Sequence, residues 1–308
     1  MSSRAHHMTP ILKSDGFQAY LMLIPWTIGF AAFTIFPIFW VLRYSFFSFD
    51  GYSSRYTGLY NFVRLFARDP DYWLSVVNTF IVGFGKRLIE LPLAFVVALF
   101  LNRGMAGQST FRTVFFMPNI ISVAIVGLIF FFIFAAYQGI ANNVLQAMGI
   151  IKDPVNWFGN KWTSLLVIGL TSIWQNFGIN MIFFLTGLQS IPREMYEAAG
   201  IEGASRVQQI RYVTIPMMAP MIQIIILNAV LGSLKMTDLV LVLTNGQPAG
   251  QSEFMMTFIF KRFFLISEGI TGSVQIGYAS SLGVISSIIL GIITILYLRV
   301  TRRMRSVY

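Results

Sequence analysis

The chain has 308 residues, 56% of them hydrophobic and 11% charged, with a mean hydropathy of +0.70. A water-soluble core of this size cannot hide that much apolar surface, so the composition excludes a soluble globular domain and places the chain in a bilayer. The net charge of +10 does not point to nucleic acid, because Arg and Lys sit largely beside apolar runs, where lipid headgroups and orientation bias account for them.

A spanning helix needs roughly 20 mostly apolar residues, and six stretches qualify, at about 18–43, 74–101, 112–136, 163–189, 217–243 and 276–299. The sequence therefore predicts an all-α membrane protein with six transmembrane helices over 18–299, an N-terminal tail over 1–17 and a basic tail over 300–308. The first run is of full spanning length, with no short apolar core and small-residue cleavage site, so it is expected to stay attached. Pro25, Pro37, Pro92 and Pro118 lie within or beside spans and predict kinks.

The second span carries Lys86, Arg87 and Glu90. Lys86 and Glu90 have i,i+4 spacing and predict an internal ion pair. Arg87 is then left to meet Asp238, a partner subunit, or an anionic solute such as a uronic-acid oligosaccharide.

On the fourth span Ser172, Gln175, Asn176 and Ile179 fall on one helical face, with Trp174 and Phe177 nearby. On the fifth, Gly232, Ser233, Met236 and Thr237 do the same, beside Asn228, Lys235 and Asp238. Polar groups in mid-span line a path or hydrogen-bond between helices, since lipid would leave them unsatisfied. In the last span Ala279, Gly283, Ser287 and Gly291 form a small-residue stripe expected to pack closely against another helix.

Arg103, Arg112, Arg193, Arg206, Arg211 and the Arg299–Arg305 cluster all fall on one face of a six-span topology. The opposite loops mix Arg55, Arg64, Lys152 and Lys261 with Asp50, Asp69, Asp153 and Glu253. The bias favours cytoplasmic placement of both termini and of residues 190–216. In that loop Ser190 and Pro192 predict the start of a short helix over Arg193–Ala199. Gly200 and Gly203 interrupt it, and Ala204–Tyr212 predict a second helix before Pro216 re-enters the membrane. Small Ala198 and Ala199 let a partner approach the backbone, while Glu197 and Glu202 offer carboxylates to basic groups on that partner.

Residues 197–216 resemble the "EAA" loop of the membrane subunits of ATP-binding-cassette (ABC) importers, on Glu197, Ala198, Ala199, Gly203, Ile215 and Pro216. Glu202 stands where the pattern usually has Asp, and Ile210 where it often has Phe. Gly58-Leu59-Tyr60-Asn61-Phe62, Asn78-Thr79-Phe80, Leu243-Thr244-Asn245-Gly246-Gln247-Pro248 and Gly277-Tyr278-Ala279 are similar to the carbohydrate-importer branch, except that Gln247 replaces a usual Gly. The resemblance runs over essentially the whole chain from about residue 18. It implies a type I ABC importer permease fold in the bacterial cytoplasmic membrane, with residues 190–216 docking on an ABC ATPase dimer. It also implies a second homologous permease, an external solute-binding protein and a sugar or oligosaccharide solute. Residues Gln175, Asn176, Ile179, Gly232, Ser233, Met236 and Thr237 are carried over as candidates for the solute path, with Ser172 beside them. Family pockets often hold more aromatic or Asn side chains where Gly232 and Met236 stand.

No cofactor is expected in this subunit, since ATP and Mg belong to the partner ATPase. Gly83-Phe84-Gly85-Lys86-Arg87 only superficially resembles a phosphate loop: Phe80 occupies the first Gly position and Arg87 the Ser/Thr position. Metalloprotease and serine-hydrolase signatures are missing, and His6 and His7 lie in the tail, so an enzyme is not expected. A secondary transporter, which needs no ATPase, is the competing reading.

Overall fold

The computed structural model describes residues 15–104, 107–264 and 274–305. Most of the tail over 1–17, with His6 and His7, and the final residues 306–308 of the basic tail lie outside the described residues.

Helix α1 (Asp15–Phe30) passes through a π-helical turn (Ala31–Ile35) into α2 (Phe36–Tyr44). The continuous apolar segment Ala19–Tyr44 is long enough to cross a bilayer, and none of it is buried within this chain. A hairpin of β1 (Phe47–Phe49) and β2 (Ser54–Tyr56) follows, pairing Phe47 with Tyr56 and Phe49 with Ser54. Its turn is tied by Asp50, whose carboxylate accepts from the Tyr52 and Ser53 amides at 2.9 and 2.7 Å. The hydrogen bonds, led by that from Ser53, hold the Asp50 carboxyl below the usual aspartate range.

Short α3 (Tyr60–Arg68) leads into α4 (Pro70–Leu101), capped by Asp69, whose side chain accepts from the Tyr72 amide. The third hydrophobic stretch does not form one helix. It divides into α5 (Gln108–Ile120) and α6 (Val123–Ile133), bent by 94°. After α7 (Ile140–Ala147), α8 (Lys161–Gln189) runs straight into the loop of α9 (Arg193–Ile201) and α10 (Arg206–Gln209). A π-helical turn (Ile210–Thr214), α11 (Ile215–Met217) and α12 (Ala219–Leu234) carry the chain back, with a 72° bend between the segments Arg206–Met217 and Ala219–Leu234. The fifth stretch is broken a second time at residues 235–237, before α13 (Asp238–Leu243). Finally α14 (Met255–Phe264) precedes α15 (Ile276–Arg305).

Among the described residues three helical segments are long and apolar enough to cross a membrane, and the two bent pairs bring the number to five. The 32-residue helix α4 is of spanning length too, but Lys86, Arg87 and Glu90 interrupt its apolar sequence.

The centre of the molecule is α4 packed along α8, with α5 and α12 against them. Ala94, Ala98, Met181, Leu185, Met218 and Ile225 form one buried cluster there. A second cluster joins α3, α4, α14 and α15 through Leu65, Tyr72, Met255, Phe258, Tyr278 and Leu282. Gly178 is where α5 crosses α8: a Cβ at that position would stand 1.9 Å from the Phe115 carbonyl oxygen. The stripe on α15 is packed at one end only. Ala279 is fully buried and Gly283 faces Val41, whereas Ser287 is exposed and Gly291 has nothing against it.

Candidate functional site

The break between α5 and α6, the break between α12 and α13 and the polar face of α8 meet around one cavity of about 580 Å³. From α8 come Ser172, Gln175, Asn176 and Ile179, and from α12 and the break after it come Gly232, Met236 and Thr237. The polar face read from helical spacing is therefore the cavity wall. Ser233 is not in that wall: it is buried, and its hydroxyl accepts from Arg87 Nη2 at 2.6 Å while donating to the Ala229 carbonyl. Trp174 and Phe177 turn away from the cavity and line an apolar groove against α5 with Phe115 and Pro118. The ring in the cavity wall is Phe183.

Sequence reasoning missed the contribution of the broken third span, where Asn119, Ile121 and Ser122 complete the wall. At such a break backbone carbonyls lose their helical partners, and Gln175 Nε2 donates to the Ile121 carbonyl at 3.5 Å. Asn180 was also missed, although it extends the α8 face by one turn from Asn176.

The buried charges are wired differently from the i,i+4 expectation. Glu90 pairs with Arg87, Nη1 to Oε2 at 2.7 Å, and not with Lys86. Lys86 instead donates to the Ser172 hydroxyl. Arg87 also donates to the Ala229 carbonyl, and Glu90 accepts from Asn180 Nδ2. On α4 the guanidinium reaches the carboxylate one turn away, while the Lys86 stem leads across to α8. Asp238 forms no ion pair with Arg87; it is exposed at the start of α13.

The loop over 190–216 forms two helices, with local details that differ from expectation. The Ser190 hydroxyl donates back to the Gly187 carbonyl and closes α8, so it does not cap the next helix. Helix α9 continues through Gly200 to Ile201, and the turn falls at Gly203, whose φ of +79° suits glycine. A capping box between Ser205 and Gln208 starts α10. The Tyr196 hydroxyl meets the Thr214 hydroxyl at 3.0 Å and ties the two arms together. Glu197, Ala198, Glu202, Gly203 and Ile215 are exposed, and Ala199 and Pro216 are half-buried. Both carboxylates are without an ion pair among the described residues. Ile201, Val207 and Tyr212 add exposed apolar surface beside them. Among the described residues no three His, Asp or Glu side chains gather as a metal site requires.

Residues 90–306 match the family described as binding-protein-dependent transport system inner membrane component. The chain belongs to this family. Within it, the chain is 30% identical to the probable ABC transporter permease protein YesP of Bacillus subtilis (strain 168), over 92% of this chain and 90% of that one. It is also 30% identical to the lactose transport system permease protein LacF of Rhizobium radiobacter, over 85% and 88% of the two chains. A chain in the crystal structure of a bacterial ABC transporter involved in the import of the acidic polysaccharide alginate has the same fold. Its TM-score is 0.79 at 23% identity, covering 93% of this chain and 96% of that one. Membership in the inner membrane component family agrees with the apolar helices and makes this a bacterial inner-membrane protein.

Proposed function

We propose that this chain is one permease subunit of an ATP-driven, binding-protein-dependent importer of a sugar or oligosaccharide. The polar cavity is its half of the solute path, and residues 190–216 couple it to an ATPase. The observation that carries this reading is mechanical continuity. Helix α8 supplies six cavity residues and ends directly at the exposed loop, and α12, which supplies the facing wall, begins directly after that loop. At 1.5 Å per residue, the distance along α8 from the cavity residues to the loop is about 9–26 Å. A displacement of the loop is therefore delivered to both walls without a flexible linker between.

The cavity chemistry suits sugars. Amide and hydroxyl groups both donate and accept, as sugar hydroxyls do, and the Phe183 ring offers a face for stacking. The relatives YesP and LacF support the permease role, and LacF is named for lactose transport. An alginate transporter of the same fold crystallised with an alginate pentasaccharide-bound periplasmic protein, which supports an external binding protein here.

In this reading α4 is the sixth span, despite its charges, because they face the cavity and the protein interior. Both termini and the 190–216 loop are then cytoplasmic. Glu197 and Glu202 accept basic groups of the ATPase, around which Ile201 and Val207 exclude water. The unburied span Ala19–Tyr44 faces lipid and the second permease. The subunit itself performs no hydrolysis: closure of the ATPase pair moves the loop and opens the cavity alternately to the two sides.

The test uses the intact transporter, with both permeases, the ATPase and the binding protein in proteoliposomes. Uptake should require ATP, and Glu197→Lys should release the ATPase and abolish uptake together. Uptake that persists without any ATPase would establish a secondary transporter instead.

A further inference from the structure

Three cations, Lys86, Arg87 and Lys235, line the cavity, and two carboxylates, Asp238 in the wall and Glu90 behind Arg87, oppose them. Lys235 and Asp238 are both exposed and three residues apart at the break in the fifth span. Arg87 is held by Glu90. That leaves Lys86. Its side chain is only 4% exposed, and among the described residues no carboxylate lies within 4.0 Å of its Nζ.

An ammonium has three N–H donors, and the Ser172 hydroxyl is the one acceptor Lys86 has among the described residues. Arg87 Nε, a little further along the same wall, is a buried N–H with no acceptor. Sugar hydroxyls can satisfy such donors but leave the positive charge uncompensated, and an uncompensated buried charge is costly. A carboxylate satisfies donors and charge together. We infer that the cavity is built for a solute that carries a carboxylate, an acidic oligosaccharide, and that Lys86 receives it. The sequence left this as one of three roles open to Arg87; the Arg87–Glu90 pair moves it to Lys86. Asn176, whose Nδ2 donates to the Ser172 carbonyl, keeps its side-chain oxygen for a neighbouring hydroxyl of the same sugar.

This inference rests on the sugar-importer reading, and the experiment separates the two. The purified intact transporter is titrated with a trisaccharide of uronic acids and with its carboxyl-reduced counterpart, which differs only in bearing CH₂OH where the first has COO⁻. Uptake of both is followed in proteoliposomes. The wild type should bind the acidic trisaccharide on the order of 30-fold more tightly, the scale of a buried charge pair. Lys86→Gln should reduce that preference to below about threefold, and Lys86→Arg should retain most of it. Equal affinities in the wild type overturn the inference, as they would if an acidic residue of the second permease neutralised Lys86. A preference that survives Lys86→Gln overturns the assignment to Lys86. Should Lys86→Gln fail to assemble, the wild-type ratio and Lys86→Arg still decide. ATP-driven uptake of both sugars at equal rates sinks the charge inference alone, whereas uptake of either sugar without the ATPase sinks the importer reading beneath it.

Discussion

Replacing Glu90 by Gln tests the wiring of the buried charges, because the two pairings open to it predict opposite results. Glu90 is fully buried and Arg87 is 9% exposed, with 2.7 Å between Nη1 and Oε2. Removing the carboxylate leaves a buried guanidinium with only the Ala229 carbonyl and Ser233 hydroxyl as acceptors. Breaking a buried pair in this way costs about 3–5 kcal/mol, most of it from the charge left behind. Neutralising both partners, as Arg87→Met with Glu90→Gln, should recover much of that loss. A double-mutant cycle on Arg87 and Glu90 should therefore give a coupling of about 2 kcal/mol. The same cycle on Lys86 and Glu90, which form no ion pair, should give less than about 1 kcal/mol. The assay is equilibrium unfolding of the purified transporter in mixed detergent, read by tryptophan fluorescence. A larger coupling for Lys86 than for Arg87 would refute the assignment and restore the i,i+4 pair.

Gly178→Val should destabilise the protein by about 1–3 kcal/mol or more in the same assay, because the new side chain would strike the Phe115 carbonyl and force α5 off α8; unchanged stability would show that the two helices do not cross there. Asn176→Ala should weaken solute binding about tenfold by removing a hydrogen-bonding group from the cavity wall. Trp174→Ala, which alters the opposite groove, should change binding less than twofold; calorimetry with the transported sugar would expose the reverse order. Tyr278→Phe removes the hydroxyl that donates to Asp69 Oδ2, leaving that carboxylate the Tyr72 amide at 3.2 Å. It should cost about 1–2 kcal/mol in unfolding, with uptake retained.

Much of the architecture was legible in the apolar runs, because a bilayer imposes a length and a hydropathy that local sequence must meet. The straight spans show it: α8 and α15 begin within two residues of the expected positions. The broken ones do not. Nothing in the hydropathy of Val123–Ile133 distinguishes it from the continuation of α5, and only Pro118 hinted at the 94° bend. In the fifth stretch the break falls on Lys235, Met236 and Thr237, the last two of which helical spacing places on one face. They reach the cavity all the same, since an unwound segment that lines a cavity keeps its polar groups satisfied.

Periodicity found the polar face of α8, but it could not tell which neighbour each side chain would meet. Ser233 was read as part of that wall and is instead an acceptor for Arg87. The ion pair failed for a similar reason. Both i,i+3 and i,i+4 partners lie on one face of a helix, and the hydroxyl of Ser172 on α8, invisible to spacing along α4, draws Lys86 away. Exposed Val207 and Tyr212 show the opposite case, where hydrophobic residues within the expected second loop helix have no core to enter.

The central claim is that the cavity between the breaks at residues 121–122 and 235–237 is the solute path and that the 190–216 loop moves it. The chain has no cysteine, so one introduced by Asn176→Cys is the sole thiol this subunit carries. Its labelling by a membrane-impermeant maleimide can be measured in the assembled transporter, from each side, with and without ATP and sugar. The account predicts that ATP reverses the side from which position 176 is reached, that sugar protects it, and that Glu197→Lys abolishes the ATP effect. Labelling that is indifferent to sugar, or that still responds to ATP in the Glu197→Lys protein, would contradict it.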